Sequence, residues 1–164
     1  MASLLREKGT LVYFEPFPTK NGCSMKCMDV ADIVKFSKQD FPDVSFVDRC
    51  PDKLFIQTLG GQEGARFRFP KHDWLTVPGF TNERIVSPLG CGDWTTVGFL
   101  TTLWRSGGVK FSELTPERVA SALSEGQRYA SRNCSYFTTC CDELLDELGV
   151  RNIVNRGLAN IRHN

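Results

Sequence analysis

Ser87-Pro88-Leu89-Gly90-Cys91-Gly92-Asp93-Trp94-Thr95-Thr96-Val97-Gly98-Phe99-Leu100 is a glycine-punctuated turn that runs directly into an apolar-periodic segment. The β-branched pair Ile85-Val86 precedes it and predicts a strand entering the turn. Val97, Leu100, Leu103 and Trp104 recur at three- and four-residue spacing, which predicts a helix that Gly107-Gly108 stops. The first N–H groups of a helix have no partner inside it, and the macrodipole makes that end attractive to anions. Gly90 and Gly92 let the backbone turn sharply and come close to a ligand. Asp93 falls in the first turn, where a carboxylate is favoured. Taken alone, the pattern fits a structural acid after a glycine turn as well as it fits an anion site with a carboxylate beside it.

The totals narrow the field. A chain of 164 residues is long enough for one domain with a substantial core. Apolar residues make up 41% and charged residues 24%, ordinary values for a globular protein in water. With a net charge of +1 and no basic run, binding to nucleic acid through electrostatics is not expected. No apolar stretch reaches the length of a membrane span, and Met1-Ala-Ser-Leu-Leu-Arg6 lacks a signal-peptide core. The 7 cysteines are odd in number and form no Cys-x-x-Cys pair, and the 2 histidines are His72 and His163. That argues against a zinc site and for reduced thiols in a cytoplasmic protein. Cys140 and Cys141, adjacent in a segment that reads as helical, are expected to be packing residues.

Gly9 to Phe14 reads as a short buried strand, and Ser24 to Ala31 as a short helix with Met25, Met28 and Val30 partly inward. Ile33 to Phe36 and Leu54 to Leu59 are further apolar runs. Short runs of this kind between helical segments predict a parallel sheet covered on both faces. Gly60-Gly61-Gln62-Glu63-Gly64 is a turn, and Ala65 to Phe69 alternates as a half-exposed strand does. Thr115 is a fitting N-cap with Pro116 at the first helical position. Val119, Leu123, Gly126, Ala130, Cys134 and Phe137 then share one face. Leu144, Leu145 and Leu148 mark a last helix, closed by Gly149. With no repeat or linker, a single α/β domain is the economical reading.

Gly90-Cys91-Gly92-Asp93 resembles the Gly-Ala-Gly-Asp signature of the ribokinase-like (PfkB-type) carbohydrate kinases. Other segments resemble that family in its order along the chain. Val12-Tyr-Phe-Glu-Pro16 is similar to a strand ending in Asp-Pro, and Ala31-Asp-Ile-Val-Lys35 to the next strand. Ser37-Lys-Gln-Asp40 stands where the family often has Asn-x-x-Glu, and Thr58-Leu-Gly60 with Gly64-Ala65 resembles its nucleotide loop. Asn133 falls where the family places residues beside the adenine. Departures are Ser87-Pro88-Leu89 for Asp-Thr-Thr, Cys91 for Ala, a longer loop from Gly60 to Ala65, and Thr138-Thr139 for a usual Gly. Nothing in the chain resembles the family's N-terminal half, so it is expected to be either a fragment of a longer reading frame or a reduced form with another role.

The resemblance implies a three-layer αβα fold with a mostly parallel sheet, incomplete at its N-terminal side, in which residues 1–164 form the nucleotide-binding and catalytic portion. It implies ATP-dependent phosphoryl transfer to a hydroxyl of a sugar or nucleoside, with Mg2+ as cofactor. Asp93 would be the base, and Gly90, Cys91 and Gly92 the anion hole. Thr58, Gly60, Gly64 and Asn133 would bind nucleotide, and Asp40 would help organise the metal. Asp40 before Phe41-Pro42 also fits a turn-shaping role, Thr58 a strand end, and Asn133 a solvent-facing position. Lys35 suits either a phosphate or a strand-end ammonium reaching solvent. Trp94 and Trp104 are expected in the core. Missing sheet strands would leave an apolar edge, so dimerisation or poor solubility is expected. Two other readings compete: a truncated, non-catalytic nucleotide-binding or interaction module, and a thiol sensor built on Cys91 with Cys140-Cys141.

Overall fold

Leu54-Phe55-Ile56-Gln57 is buried on both faces, which makes it the centre of the sheet. The computed structural model describes residues 2–18, 27–82, 84–105, 110–137, 145, 146 and 149. Five strands follow one another in chain order across the sheet: β1 (Tyr13–Phe14), β2 (Ile33–Ser37), β3 (Leu54–Gly60), β4 (Gly64–Arg68) and β5 (Leu75–Val77). β1, β2 and β3 run parallel, β4 pairs antiparallel with β3, and β5 pairs antiparallel with β4, so β4 alone is reversed. The sheet is therefore mixed rather than mostly parallel. The reason is the Gly60–Gly64 turn, which is short enough to fold the chain straight back on itself, whereas a parallel return needs a long crossover.

Alternation along β2 and β3 sends side chains to two different cores. Ile33, Leu54 and Ile56, with Ala65, Phe67 and Val77, face the helices α2 (Cys91–Arg105) and α3 (Pro116–Asn133) through Phe99, Leu103, Val119, Ala122 and Leu123. Val34, Phe36 and Phe55 face the other way. There Phe36, Phe41, Phe46 and Phe55 meet edge-on, with the Phe36 and Phe46 ring centres 5.1 Å apart. Among the described residues that second face is covered by the 3-10 turn Ser45–Arg49 and by Met28, with no long helix. The short helix α1 (Ala2–Glu7) is tied to the sheet by Arg6, whose Nε lies 2.7 Å from the buried Asp32 carboxylate.

α2 and α3 run antiparallel and cross where neither has a side chain. A Cβ added to Gly98 would stand 2.6 Å from Gly126 Cα, and one on Gly126 would stand 2.4 Å from the Thr95 carbonyl oxygen. Thr115 caps α3 as its sequence indicates, accepting the Arg118 N–H at 3.3 Å with Pro116 in the first turn.

Several sequence expectations are corrected. Ile85-Val86 forms no strand; the Val86 and Ser87 N–H groups both donate to the Cys134 carbonyl, and Ile85 is exposed. The strand at this end of the sheet is β5 instead. The strand expected from Gly9 is reduced to Tyr13–Phe14, because Gly9 has a positive φ of 80°. Trp104 and Phe137 are exposed rather than packed, at 66% and 83%. The inward stripe of α2 runs through Trp94, Thr95, Gly98, Phe99 and Leu103. Its small members carry the helix contact, and an apolarity pattern does not count them. Of the helix expected at Ser24 to Ala31, only Cys27 and Met28 are helical among the described residues. Of the last helix, Leu145 and Asp146 are helical, and Gly149 has a φ of 65°. Cys23, Met25, Gly107-Gly108, Thr138-Thr139, Cys140-Cys141, Leu144, Leu148 and His163 lie outside the described residues. Among the described residues, no helix is long and apolar enough to cross a membrane.

The helix crossing makes a direct prediction. Gly→Ala in an exposed helix interior gains about 1 kcal/mol. Gly126→Ala here should reverse that sign and cost about 1–3 kcal/mol by overpacking, read as a lower urea midpoint. An unchanged or raised midpoint would show that the two backbones are not in contact.

Candidate functional site

The register that pairs Ser37 with Thr58 places both residues at the carboxyl ends of parallel strands. In α/β sheets, ligands collect outside those ends. A cleft of about 450 Å³ opens there, bounded by Ser37, Thr58 and the glycine turn on one side, and by Cys91, Gly92, Thr95, the α3 residues Gln127 and Ala130, and Cys134 just after α3 on the other. The structure thus brings the Thr58-Gly60-Gly64 loop and the Cys91-Gly92 turn to one opening.

The turn before α2 is built from backbone and one buried amide. Gly90 has a φ of 78°, a left-handed conformation that suits glycine. The Trp94 N–H returns to the Gly90 carbonyl at 2.9 Å, and the Cys91 N–H reaches the Pro88 carbonyl at 3.3 Å. The N–H groups of Gly92 and Asp93 take no carbonyl acceptor among the described residues, as expected in the first turn of a helix. Asn133, only 1% exposed, donates from Nδ2 to the Leu89 carbonyl at 2.8 Å, so α3 holds the turn in place. Its Oδ1 has no hydrogen-bond partner among the described residues. Asn133 is buried under the turn, neither solvent-facing nor part of the cleft wall.

Asp93 is exposed on the first turn of α2 and is not part of the cleft wall, although Gly92 beside it is. Beneath Gly92 lies a cluster that the sequence did not identify as a unit. Lys35 on β2 is 4% exposed, and its Nζ is 2.7 Å from Glu15 Oε2. The other carboxylate oxygen of Glu15 accepts from the Thr96 hydroxyl, and the Tyr13 hydroxyl lies 3.1 Å from both Glu15 and Thr96. Burial, followed by the Glu15 charge, pushes the Tyr13 phenol well above its ordinary range, and the Asp93 charge adds to this. The Lys35 ammonium would be the nearest atom to a Cβ on Gly92, at 3.9 Å. A lysine between Val34 and Phe36 in a buried strand was the available signal, since a buried cation needs a partner.

Across the cleft, Gly60 and Gly61 have positive φ and open space where a Cβ would go. Gly64 differs: a Cβ there would lie 2.3 Å from the Val77 carbonyl oxygen, so this glycine serves the approach to β5. Asp40 is exposed and is not part of the cleft wall; it accepts the hydroxyl of the lining residue Ser37 at 2.7 Å, while its own N–H donates back to that oxygen at 3.0 Å. Among the described residues, no three His, Cys, Asp or Glu side chains gather as a ready metal site. A lone exposed carboxylate still suits Mg2+, which keeps several waters and takes its other ligands from phosphate.

No family model and no curated protein matches the sequence. The fold does have counterparts among solved structures. Fructokinase from Vibrio cholerae O395 matches with a TM-score of 0.71 at 18% identity, over 84% of this chain and 49% of that one. Ribokinase from Giardia lamblia matches at 0.70 and 16% identity, over 92% and 54%. Aminoimidazole riboside kinase from Salmonella enterica matches at 0.66 and 19% identity, over 82% and 49%. The chain thus has part of the ribokinase-like fold and spans about half the length of these enzymes.

Gly92 lies within α2 and a Cβ there would meet nothing nearer than the Lys35 ammonium at 3.9 Å, so Gly92→Val should fold normally while its branched side chain fills the space between the turn and Lys35. Its urea midpoint should match the parent, and its affinity for ATP should fall about tenfold, or ~1.4 kcal/mol. Unchanged affinity would remove the turn from the binding site.

Proposed function

We propose that this chain supplies the nucleotide-binding and catalytic side of an ATP-dependent kinase that phosphorylates a hydroxyl of a sugar or related small molecule. The observation that carries this reading is the convergence at one helix start: the open amides of Gly92 and Asp93, the Asp93 carboxylate, and the buried Lys35 ammonium below. Phosphoryl transfer asks the protein mainly for positioning and charge neutralisation, and this set offers both.

In this reading the triphosphate enters the cleft between the Thr58-Gly60-Gly64 loop and the Gly90-Cys91-Gly92 turn. The open N–H groups face the transferring phosphoryl group while the buried Lys35 adds positive charge from beneath the turn, and losing one such N–H donor costs about 3 kcal/mol in comparable oxyanion sites. Asp93 accepts the proton of the attacking hydroxyl, a contribution of roughly 10²–10⁴-fold. Asp40 with Ser37 would hold Mg2+ through water, and the ion would neutralise phosphate charge. Asn133 acts through Leu89, fixing the turn, rather than by touching the base. The solved counterparts support the substrate class: the Vibrio enzyme was captured with fructose and ADP, and the Salmonella enzyme with aminoimidazole riboside and an ATP analogue.

One observation favours a second reading. Asp93 lies outside the cleft wall, as suits a chain that binds nucleotide without turning it over. Calorimetry with ATP and Mg2+, followed by ADP release against a panel of sugars and nucleosides, separates the two. ATP binding with turnover that falls at least ~100-fold in Asp93→Asn, at unchanged ATP affinity, is the expected result. Binding without turnover selects the non-catalytic module; equal turnover by the variant overturns the base assignment; no binding overturns both readings.

A further inference from the structure

Cys91 and Cys134 sit on different helices, yet their sulfurs are 2.8 Å apart. Cys91 is the first residue of α2 and Cys134 follows the last residue of α3. The antiparallel crossing at Gly98 and Gly126 holds these two ends together. Both sulfur-bearing residues line the cleft and both are partly exposed, so a small molecule in the cleft can reach them. A disulfide has an S–S bond of about 2.05 Å, so less than an ångström separates the pair from bonding.

We propose that Cys91 and Cys134 are an oxidation site, joined as a disulfide by a two-electron oxidant such as a hydroperoxide that enters through the cleft. Cys91, on the turn, attacks the peroxide oxygen; the O–O bond breaks, and the sulfur becomes a sulfenic acid with loss of one water. The Cys134 sulfur then attacks the sulfenic sulfur. The S–S bond forms, hydroxide leaves, and the Cys134 proton converts it to the second water. Two thiols and one hydrogen peroxide thus give one disulfide and two waters. Burial and the neighbouring Cys91 push the Cys134 thiol up to about 12, so it stays protonated and is not the thiol that meets the peroxide first. The product ties the start of α2 to the end of α3 and fixes the Gly90–Gly92 turn against α3. Among the described residues the thiol beside Cys91 is thus Cys134, whereas Cys140 and Cys141 lie outside them.

The test is peroxide titration of the full chain, with alkylation of remaining thiols and peptide mapping under non-reducing conditions. A Cys91–Cys134 linked peptide that forms at lower peroxide than any other cysteine product, and disappears on reduction, is expected. Cys134→Ser should leave Cys91 accumulating as sulfenic acid trapped by dimedone, and Cys91→Ala should leave Cys134 alkylatable after peroxide. A parent protein in which both thiols remain alkylatable while other cysteines oxidise overturns the proposal, as does Cys91 linked to Cys140 or Cys141. ATP added beforehand should slow the linkage at least several-fold. If the disulfide forms at an unchanged rate with ATP present, the nucleotide reading of the cleft fails while the oxidation site stands.

Discussion

Backbone contact between Gly98 and Gly126 is the constraint from which the rest of the molecule takes its geometry. With no Cβ on either side, the helices approach as closely as their main chains allow, and interior packing then leaves little room to slide. Antiparallel direction plus that fixed crossing determines which residues meet at the far ends: Cys91 against Ala130 and Cys134, and Asn133 against Leu89. The Gly90–Gly92 turn is thus positioned from behind by α3 and not by its own loop alone. Phe99, Leu103, Val119 and Leu123 then seat the helix pair on the sheet.

The electrostatics of the opening are arranged in two tiers. On the surface tier, Asp93 and the open amides of the first turn face solvent. On the lower tier, Lys35 is nearly closed off and is satisfied by Glu15, which Thr96 and Tyr13 also contact. A buried cation that kept only apolar neighbours would be costly, so the carboxylate partner is what lets an ammonium remain beneath the turn. This network also links β1, β2 and α2, three elements distant in sequence.

What could be read from the residues followed from how local each signal was. The helix start at Cys91, the Thr115 cap and the paired strands at Ile33 and Leu54 are encoded by neighbours in sequence, and all are present. The mixed sheet was less visible, because a short glycine turn fixes strand direction whereas apolar runs do not. Ile85 and Val86 have the composition of a strand but find only the Cys134 carbonyl. Trp104 is exposed although large apolar residues dominate a periodicity count, because the true interface runs through Thr95 and Gly98. In the candidate site, the turn and Asp93 were legible from a motif. The Glu15–Lys35–Thr96 cluster and the Cys91–Cys134 pair join distant positions, and no local pattern announces them.

Gly64 and Gly79 press into one another's backbone surroundings: a Cβ on Gly64 would strike the Val77 carbonyl, and one on Gly79 would stand 2.5 Å from the Gly61 carbonyl oxygen. The ledge from Thr58 to Gly64 is therefore clamped from behind while its outward side stays open. A guest arriving there meets a preorganised rim, so little conformational freedom remains to be lost on association and affinity is less eroded by ordering. Flexibility at this opening then has to come from the chain segments around the rim and not from the glycines themselves, despite their usual reputation as hinges.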